Sequence, residues 1–287
     1  MQGTVDGFTY GAVTPVVAFL MACLGSALGL RCTTRSLRHE RSWKPGWLAL
    51  GALSIGSGIW TMHFIAMIGF SVEEAPISYD KLTTVASLAV AIVMVGIGVF
   101  IVGYRGATTA ALLSAGVITG LGVAAMHYLG MAGMELQGHL EYNVTTVTLS
   151  IVIAVVAATA ALWAAVSVHG FLASLGASLV MGIAVTGMHY VGMLAISVHL
   201  QEDAGTVSGS SPTSLLFPML LGPAVFLVLS GVVVMFDPLL VLGEGDWNQP
   251  ATAGGAPAGA TTAGARIPAQ PGRQHDISPS EPRNWPH

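Results

Sequence analysis

Residues 107–132 read ATTAALLSAGVITGLGVAAMHYLGMA, an apolar run without a charged residue that ends around a histidine and two methionines. A helix needs about 20 predominantly apolar residues to cross the hydrocarbon core of a bilayer, which is roughly 30 Å thick. Strands of membrane barrels alternate apolar and polar residues instead of forming continuous apolar runs. The stretch therefore predicts a membrane-spanning α-helix.

Six further runs have the same character. The seven predicted spans are 11–30, 47–70, 82–104, 107–132, 144–168, 170–197 and 214–236. Hydrophobic residues make up 53% of the chain and charged residues only 8%, whereas soluble domains contain about 25% charged residues. We therefore expect an all-α polytopic protein whose partner is the lipid bilayer, and no nucleic-acid partner.

The distribution of lysine and arginine predicts the orientation of the spans. Basic residues cluster between spans 1 and 2, between spans 3 and 4, and near the C-terminus: Arg31, Arg35, Arg38, Arg41, Lys44, Arg105, Arg266, Arg273 and Arg283. Only Lys81 falls on the opposite side. Because cytoplasmic loops are enriched in lysine and arginine, the N-terminus is expected outside a bacterial cytoplasmic membrane and the C-terminus inside.

The composition changes after the last span. Residues 243–287 are rich in alanine, glycine, proline and threonine, a composition that is typical of disordered segments. We therefore expect a seven-span domain over 1–242 and a disordered cytoplasmic tail over 243–287. Such a tail cannot bury a catalytic core, so we expect no enzymatic activity and a separate cytoplasmic signalling partner.

Three segments of the chain repeat one another. They are WTMHFIAMIGF at 60–70, AAMHYLGMAGM at 124–134 and TGMHYVGMLAI at 186–196, aligned on His63, His127 and His189. Each interval between histidines contains two spans, which predicts three parallel two-helix repeats with equivalent spans 2, 4 and 6. Small residues stand eleven and seven positions before each histidine: Ala52, Gly56, Gly116, Gly120, Ser178 and Gly182. Because they share the histidine's face, they predict close helix packing there.

Each repeated histidine is followed four residues later by a methionine. The pairs are His63 with Met67, His127 with Met131, and His189 with Met193. Residues four apart lie on one helical stripe, so each helix offers an imidazole and a thioether together. A second set of methionines directly precedes the histidines: Met62, Met126 and Met188. They lie about 100° around the helix from the histidines, where they line a contact with a neighbouring helix or surround the ligands.

Imidazole together with thioether suits copper, particularly Cu(I), because thioether sulfur is a soft ligand. Zinc more commonly recruits thiolate or carboxylate ligands, and neither is repeated here. Haem is a rival because histidines on facing helices supply axial ligands. Polar helix packing retained from a duplication is a further alternative. Two other histidines, His139 and His199, are expected in outer loops, either as ordinary exposed residues or as groups that guide metal inward.

At these motifs the sequence resembles the bacterial MHYT domain family, over roughly residues 10–240. The resemblance implies a seven-span membrane sensor module that binds copper near the outer membrane face and responds to oxygen, carbon monoxide or nitric oxide. It implies these metal-site residues: Met62, His63, Met67, Met126, His127, Met131, Met188, His189 and Met193. The alternatives are a copper carrier or transporter, and a haem or copper membrane redox protein. The inner halves of the motif spans have no ladder of metal ligands, which favours a binding site over a transport pathway.

Overall fold

The computed structural model describes residues 5–6, 9–38, 44–72, 77–168, 170–200 and 212–236. The chain divides into two units, Met1–Gly243 and Glu244–His287, and every described residue belongs to the first. The predicted tail over 243–287 therefore lies outside the described residues and stays a prediction. The same holds for Arg41, a basic residue used above to predict the orientation.

The described residues contain seven helices, all long and apolar enough to cross a membrane. They are α1 (Val13–Arg38), α2 (Lys44–Ile68), α3 (Lys81–Arg105), α4 (Thr109–Ala132), α5 (Val144–Ser167), α6 (Phe171–Met193) and α7 (Pro212–Met235). The predicted all-α class and number of spans are confirmed. The largest errors concern two helix ends: α1 continues beyond residue 30 to Arg38, and α6 stops at Met193 instead of residue 197.

Three short antiparallel strand pairs lie at one end of the helices, and the sequence analysis did not predict them. They are β1 (Val5–Asp6) with β2 (Ser71–Val72), β3 (Ser78–Tyr79) with β4 (Met134–Glu135), and β5 (Gly138–Tyr142) with β6 (Ile196–Leu200). Each pair joins the segment before an odd-numbered helix to the segment after the next even-numbered helix. The repeating unit is therefore strand, helix, helix, strand, and α2, α4 and α6 end on the same side of the bundle. β6 also explains why α6 ends early.

The first six helices form a closed ring, because each contacts the next along the chain and α6 contacts α1. In the middle of the ring, α2 also contacts α4 and α6. The seventh helix packs outside this ring against α2 and α1. Helices α2, α4 and α6, which carry the repeated motif, are thus held together from several sides.

The small residues that were predicted to permit close packing lie against the neighbouring odd-numbered helices. A Cβ atom at Gly56 of α2 would lie 2.9 Å from Cα of Ile92 in α3. A Cβ atom at Gly120 of α4 would meet the backbone of Val155 in α5, and one at Gly182 of α6 would meet α1. These close approaches bring each motif helix against the next hairpin, and leave its histidine free to face the centre.

Candidate metal centre

The three motif histidines meet at one point inside the bundle. His63 of α2, His127 of α4 and His189 of α6 are 1%, 0% and 2% exposed. The distance between Nδ1 atoms is 3.0 Å for His63 and His189, 3.2 Å for His63 and His127, and 3.3 Å for His127 and His189. The Nδ1 atoms therefore form a nearly equilateral triangle.

No arrangement of protons satisfies all three sides of this triangle. A neutral imidazole carries a proton on one ring nitrogen and a lone pair on the other. If none of the three Nδ1 atoms carries a proton, their three lone pairs face one another. If one Nδ1 atom carries a proton, the lone pairs of the other two still face each other. If two Nδ1 atoms carry protons, their N–H groups face each other. If all three carry protons, every side of the triangle joins two N–H groups. A shared cation removes the conflict by accepting all three lone pairs.

The spacing of the nitrogens fits one metal ion. Tetrahedral coordination at about 2.0–2.1 Å, which is usual for histidine and zinc, places ligand nitrogens about 3.3 Å apart. The observed sides of 3.0–3.3 Å are close to this value. Among the described residues, these three histidines form a group whose ligand atoms, in their present positions, all lie within 4.8 Å of one another.

The aromatic residue after each histidine packs against that histidine's ring. Ring centroids are 4.6 Å apart for Phe64, 4.8 Å for Tyr128 and 5.1 Å for Tyr190, each in an edge-on arrangement. The hydroxyl group of Tyr128 lies 2.6 Å from Oγ of Ser150 in α5. The aromatic position of the motif therefore braces the imidazole and ties α4 to α5.

The small residue three positions after the histidine also has a structural role, which the sequence analysis did not assign. A Cβ atom at Gly130 would lie 2.5 Å from Nε2 of His63, and one at Gly192 would meet Nε2 of His127. Each glycine thus receives the imidazole of another repeat. The corresponding residue in α2 is Ala66, which is also buried. A small residue at this position in all three copies was the available signal.

The predicted methionines are mostly enclosed. Met67 and Met131 are fully buried one turn beyond their histidines, whereas Met193, the last residue of α6, is half-buried. The methionines that directly precede the histidines in the sequence are buried as well: Met62, Met126 and Met188. Together the six side chains belong to, or pack against, one apolar cluster. The structure thus brings the three histidines into contact, and coordination by the thioethers stays a prediction.

An apolar cavity of about 40 Å³ lies on the side of the histidines opposite to Met67, Met131 and Met193. Three of its lining residues, Ile59, Val123 and Val185, each precede a motif histidine by four residues, or about one turn. Its remaining lining is aliphatic apart from two threonines and the methionines Met181 and Met188. The interior next to the histidines is therefore poorly suited to a free charged group.

A comparison with known protein families matches this triplicated arrangement. The family model named MHYT, described as a bacterial signalling protein N-terminal repeat, matches residues 56–115, 120–178 and 182–243. Each match begins seven residues before one of the three clustered histidines. The chain belongs to the MHYT family. The MHYT repeats place this multi-pass membrane protein among the sensor domains of bacterial signalling proteins.

Relatives of this MHYT chain include signalling enzymes. It is 36% identical over 202 residues to a bifunctional diguanylate cyclase/cyclic di-GMP phosphodiesterase, MucR, of Pseudomonas aeruginosa, with 69% of this chain and 29% of the relative covered. It is 36% identical to the cyclic di-GMP phosphodiesterase NbdA of the same species, with 71% and 27% covered. It is 31% identical to the signalling protein YkoW of Bacillus subtilis, with 67% and 24% covered.

The MHYT chain thus spans less than a third of the length of these relatives, and the activities in their names are those of the whole proteins. No solved structure matches the chain.

Proposed function

We propose that this MHYT chain is a membrane sensor that binds one copper ion through His63, His127 and His189. The observation that supports the proposal is the triangle of Nδ1 atoms with sides of 3.0–3.3 Å. The three imidazoles supply the nitrogen ligands, and we assign the fourth, thioether ligand of a tetrahedral set to one of Met67, Met131 and Met193. When bound, copper would supply a centre that changes oxidation state and binds small ligands.

The ligand set favours copper over zinc and haem. Three imidazoles alone suit zinc as well as copper, but buried thioethers one turn away favour the softer Cu(I) ion. Haem would require two axial imidazoles on opposite faces of a wide planar ring. The three histidine rings instead approach one another with centroids 5.0–5.1 Å apart, which leaves no room for such a ring between them.

The location of charged residues supports a centre near the outer membrane face. Arg31, Arg35 and Arg38 lie in the last turns of α1, Lys44 begins α2 and Arg105 ends α3. All of them are at the end opposite to the histidines and the strand pairs. If this basic end is cytoplasmic, the N-terminus is outside a bacterial cytoplasmic membrane and the centre lies toward the outside.

The cavity beside the histidines favours a diatomic ligand. A water-sized molecule needs roughly 10–15 Å³ of such space, so about 40 Å³ accommodates a few small molecules. Oxygen, carbon monoxide and nitric oxide are small and weakly polar, so an aliphatic lining admits them more readily than ions. We therefore assign such a gas as the signal, and a separate cytoplasmic protein as the partner that reads it.

A ligand can shift the packing of α2, α4 and α6 only through a difference in affinity between two states. Because α2 contacts α4, α6 and α7, we assign α2 as the route by which a change at the histidines reaches the rest of the bundle. Two relatives are named as enzymes of cyclic di-GMP metabolism, and we propose an output of the same kind for this chain.

Metal analysis of detergent-purified protein tests the copper assignment. After a wash with a chelator that removes copper bound at the surface, we expect about one copper per chain in the wild type and a loss of that copper in His127→Ala. Tyr128→Phe is the matched control, because it changes the next residue of α4 and keeps an aromatic ring beside the imidazole. Equal copper in the wild type and His127→Ala, zinc in place of copper, or haem absorbance without copper would each contradict the proposal.

A copper carrier is the second candidate, and a transport assay distinguishes it from a sensor. Metal crossing the bundle would pass through the apolar cavity, where a desolvated ion is costly without ligands. We therefore expect proteoliposomes that contain the chain to bind copper without net uptake. Sustained copper flux that depends on His127 would instead establish a carrier.

A further inference from the structure

We propose that His139, His199 and Glu141 form a second metal site, exposed at the strand-pair end of the bundle, that binds divalent ions such as Cu²⁺. The sequence alone predicts both histidines in outer loops. The structure places them in β5 and β6, where they are directly paired across the strands.

The two imidazoles are arranged side by side. In the antiparallel pair, residue 139 lies opposite residue 199, and their rings are stacked with centroids 5.3 Å apart and an interplanar angle of 14°. Side chains that are directly opposite in an antiparallel pair have Cβ atoms about 4.5–5.5 Å apart. In their present orientation the rings do not gather their nitrogens around one point, and rotation of both rings is needed to bring a nitrogen of each within reach of one ion.

Glu141 completes the set of donors. It lies two residues after His139 and therefore on the same face of β5, and its Oε2 atom is 2.9 Å from Nε2 of His199. A carboxylate that accepts the Nε2 proton of a histidine leaves Nδ1 available to a metal ion, an arrangement that is common around metal-bound histidines. Rotation of the same carboxylate also makes it a direct ligand.

The donor chemistry differs from that of the buried centre. Two imidazoles with a carboxylate suit Zn²⁺ and Cu²⁺, and Cu²⁺ binds most tightly among the divalent first-row ions. The side chains of His199 and Glu141 are 38% and 70% exposed, so an ion keeps water ligands there. The first two repeats carry no histidines in their strand pairs, which hold Val5–Asp6 with Ser71–Val72 and Ser78–Tyr79 with Met134–Glu135.

The exposed site lies at the same end of the bundle as the buried histidines. Tyr142, in the same strand as His139, packs against Tyr128 at 6.0 Å between ring centroids, and Tyr128 packs against His127. An ion captured from the outer solution is thereby held next to the helices that carry the three histidines. This inference does not depend on the proposed function, because the exposed residues bind from solution whether or not the buried centre holds copper.

Electron paramagnetic resonance of Cu²⁺ added to the full chain tests the inference. We expect a Cu²⁺ signal with nitrogen couplings from two imidazoles, and at least a tenfold loss of affinity in His139→Thr and in His199→Thr. Threonine removes the ligand but favours strands, so the pairing of β5 and β6 is retained. Glu141→Gln is expected to weaken binding by 10–100-fold, as is usual when a supporting group of a metal site is removed.

Glu135→Gln is the matched control, because it removes a carboxylate from β4 in the neighbouring strand pair and should leave the signal unchanged. Because the chain contains nine histidines, the Cu²⁺ signal is assigned to His139 and His199 by the difference between variants. The same comparison in a His127→Ala background separates this site from the buried centre: the exposed signal should persist there. Unchanged Cu²⁺ affinity in both threonine variants, or the absence of a two-imidazole signal in the wild type, would overturn the inference.

Discussion

Substitution of Gly130 by alanine should disrupt the metal centre without removing any ligand. The added Cβ atom would lie 2.5 Å from Nε2 of His63 and 3.2 Å from Cζ of Phe64. Favourable contacts between heavy atoms are about 3.5–4.0 Å long, so the imidazole must retreat by about 1 Å. His63 also contacts the other two motif histidines, so the movement changes two sides of the Nδ1 triangle.

The substitution should lower metal affinity while the bundle remains folded. Metal–ligand distances are usually kept within about 0.2 Å, so a shift of about 1 Å removes most of the contribution of His63. We expect the copper affinity to fall by more than tenfold, which corresponds to about 1.4 kcal/mol. Overpacking costs about 1–3 kcal/mol, but replacing a helical glycine by alanine recovers about 1 kcal/mol. The bundle should therefore remain folded.

Competition with a Cu(I) chelator measures this affinity in detergent-purified protein. Gly187→Ala is the matched control, because it makes the same change in α6 at a position where a Cβ atom meets nothing within 4 Å. It should bind copper as the wild type does and unfold at the same or a slightly higher temperature. If Gly130→Ala binds copper as tightly as Gly187→Ala, the proposed fit between the glycine and the neighbouring imidazole is refuted.

Three further substitutions separate the remaining roles. Met131→Leu keeps the buried volume and should lower Cu(I) affinity without unfolding the protein, whereas an unchanged chelator competition would exclude this thioether as a ligand. Ala158→Phe, in the cavity lining, should slow the spectroscopic response to added nitric oxide while metal content stays constant; an unaltered rate would exclude the cavity as its route. Hydrogen bonds from Thr83 lower the pKa of Asp80, so its stabilising contribution is present at neutral pH and lost as the pH falls below about 4. The melting temperature of Asp80→Asn should therefore lack the decrease below about pH 4 that Asp80 causes in the wild type. An equal decrease in the variant would contradict this role of Asp80.

The sequence was sufficient to predict the spans because their apolar runs are long and continuous. It was least reliable at helix ends, where hydropathy no longer decides the structure. α1 continues through Arg31 to Arg38 because arginine is a good helix former, although it is unfavourable in lipid. α6 ends at Met193 because Ile196–Leu200 pairs with β5, and such pairing between distant segments has no local signal.

Periodicity also placed the three histidines on equivalent faces and at one depth, but it contained no distances between helices. The contacts of His63 with His127 and His189 depend on how tightly the bundle closes, which is set by packing at residues such as Gly130 and Gly192. The stacked pair of His139 and His199 was beyond prediction for a similar reason, since nothing near either residue indicates the other.

X-ray absorption at the metal edge of the purified chain tests the central claim most directly, because it identifies the element and counts its imidazole ligands. We predict copper with three imidazole nitrogens at about 2.0 Å in the wild type, and a loss of this copper in His189→Ala, as in His127→Ala. Samples should be washed with a chelator that removes exposed Cu²⁺, so that the buried centre alone is measured. An absence of bound metal, a metal other than copper, or fewer than three imidazole ligands in the wild type would contradict the central claim.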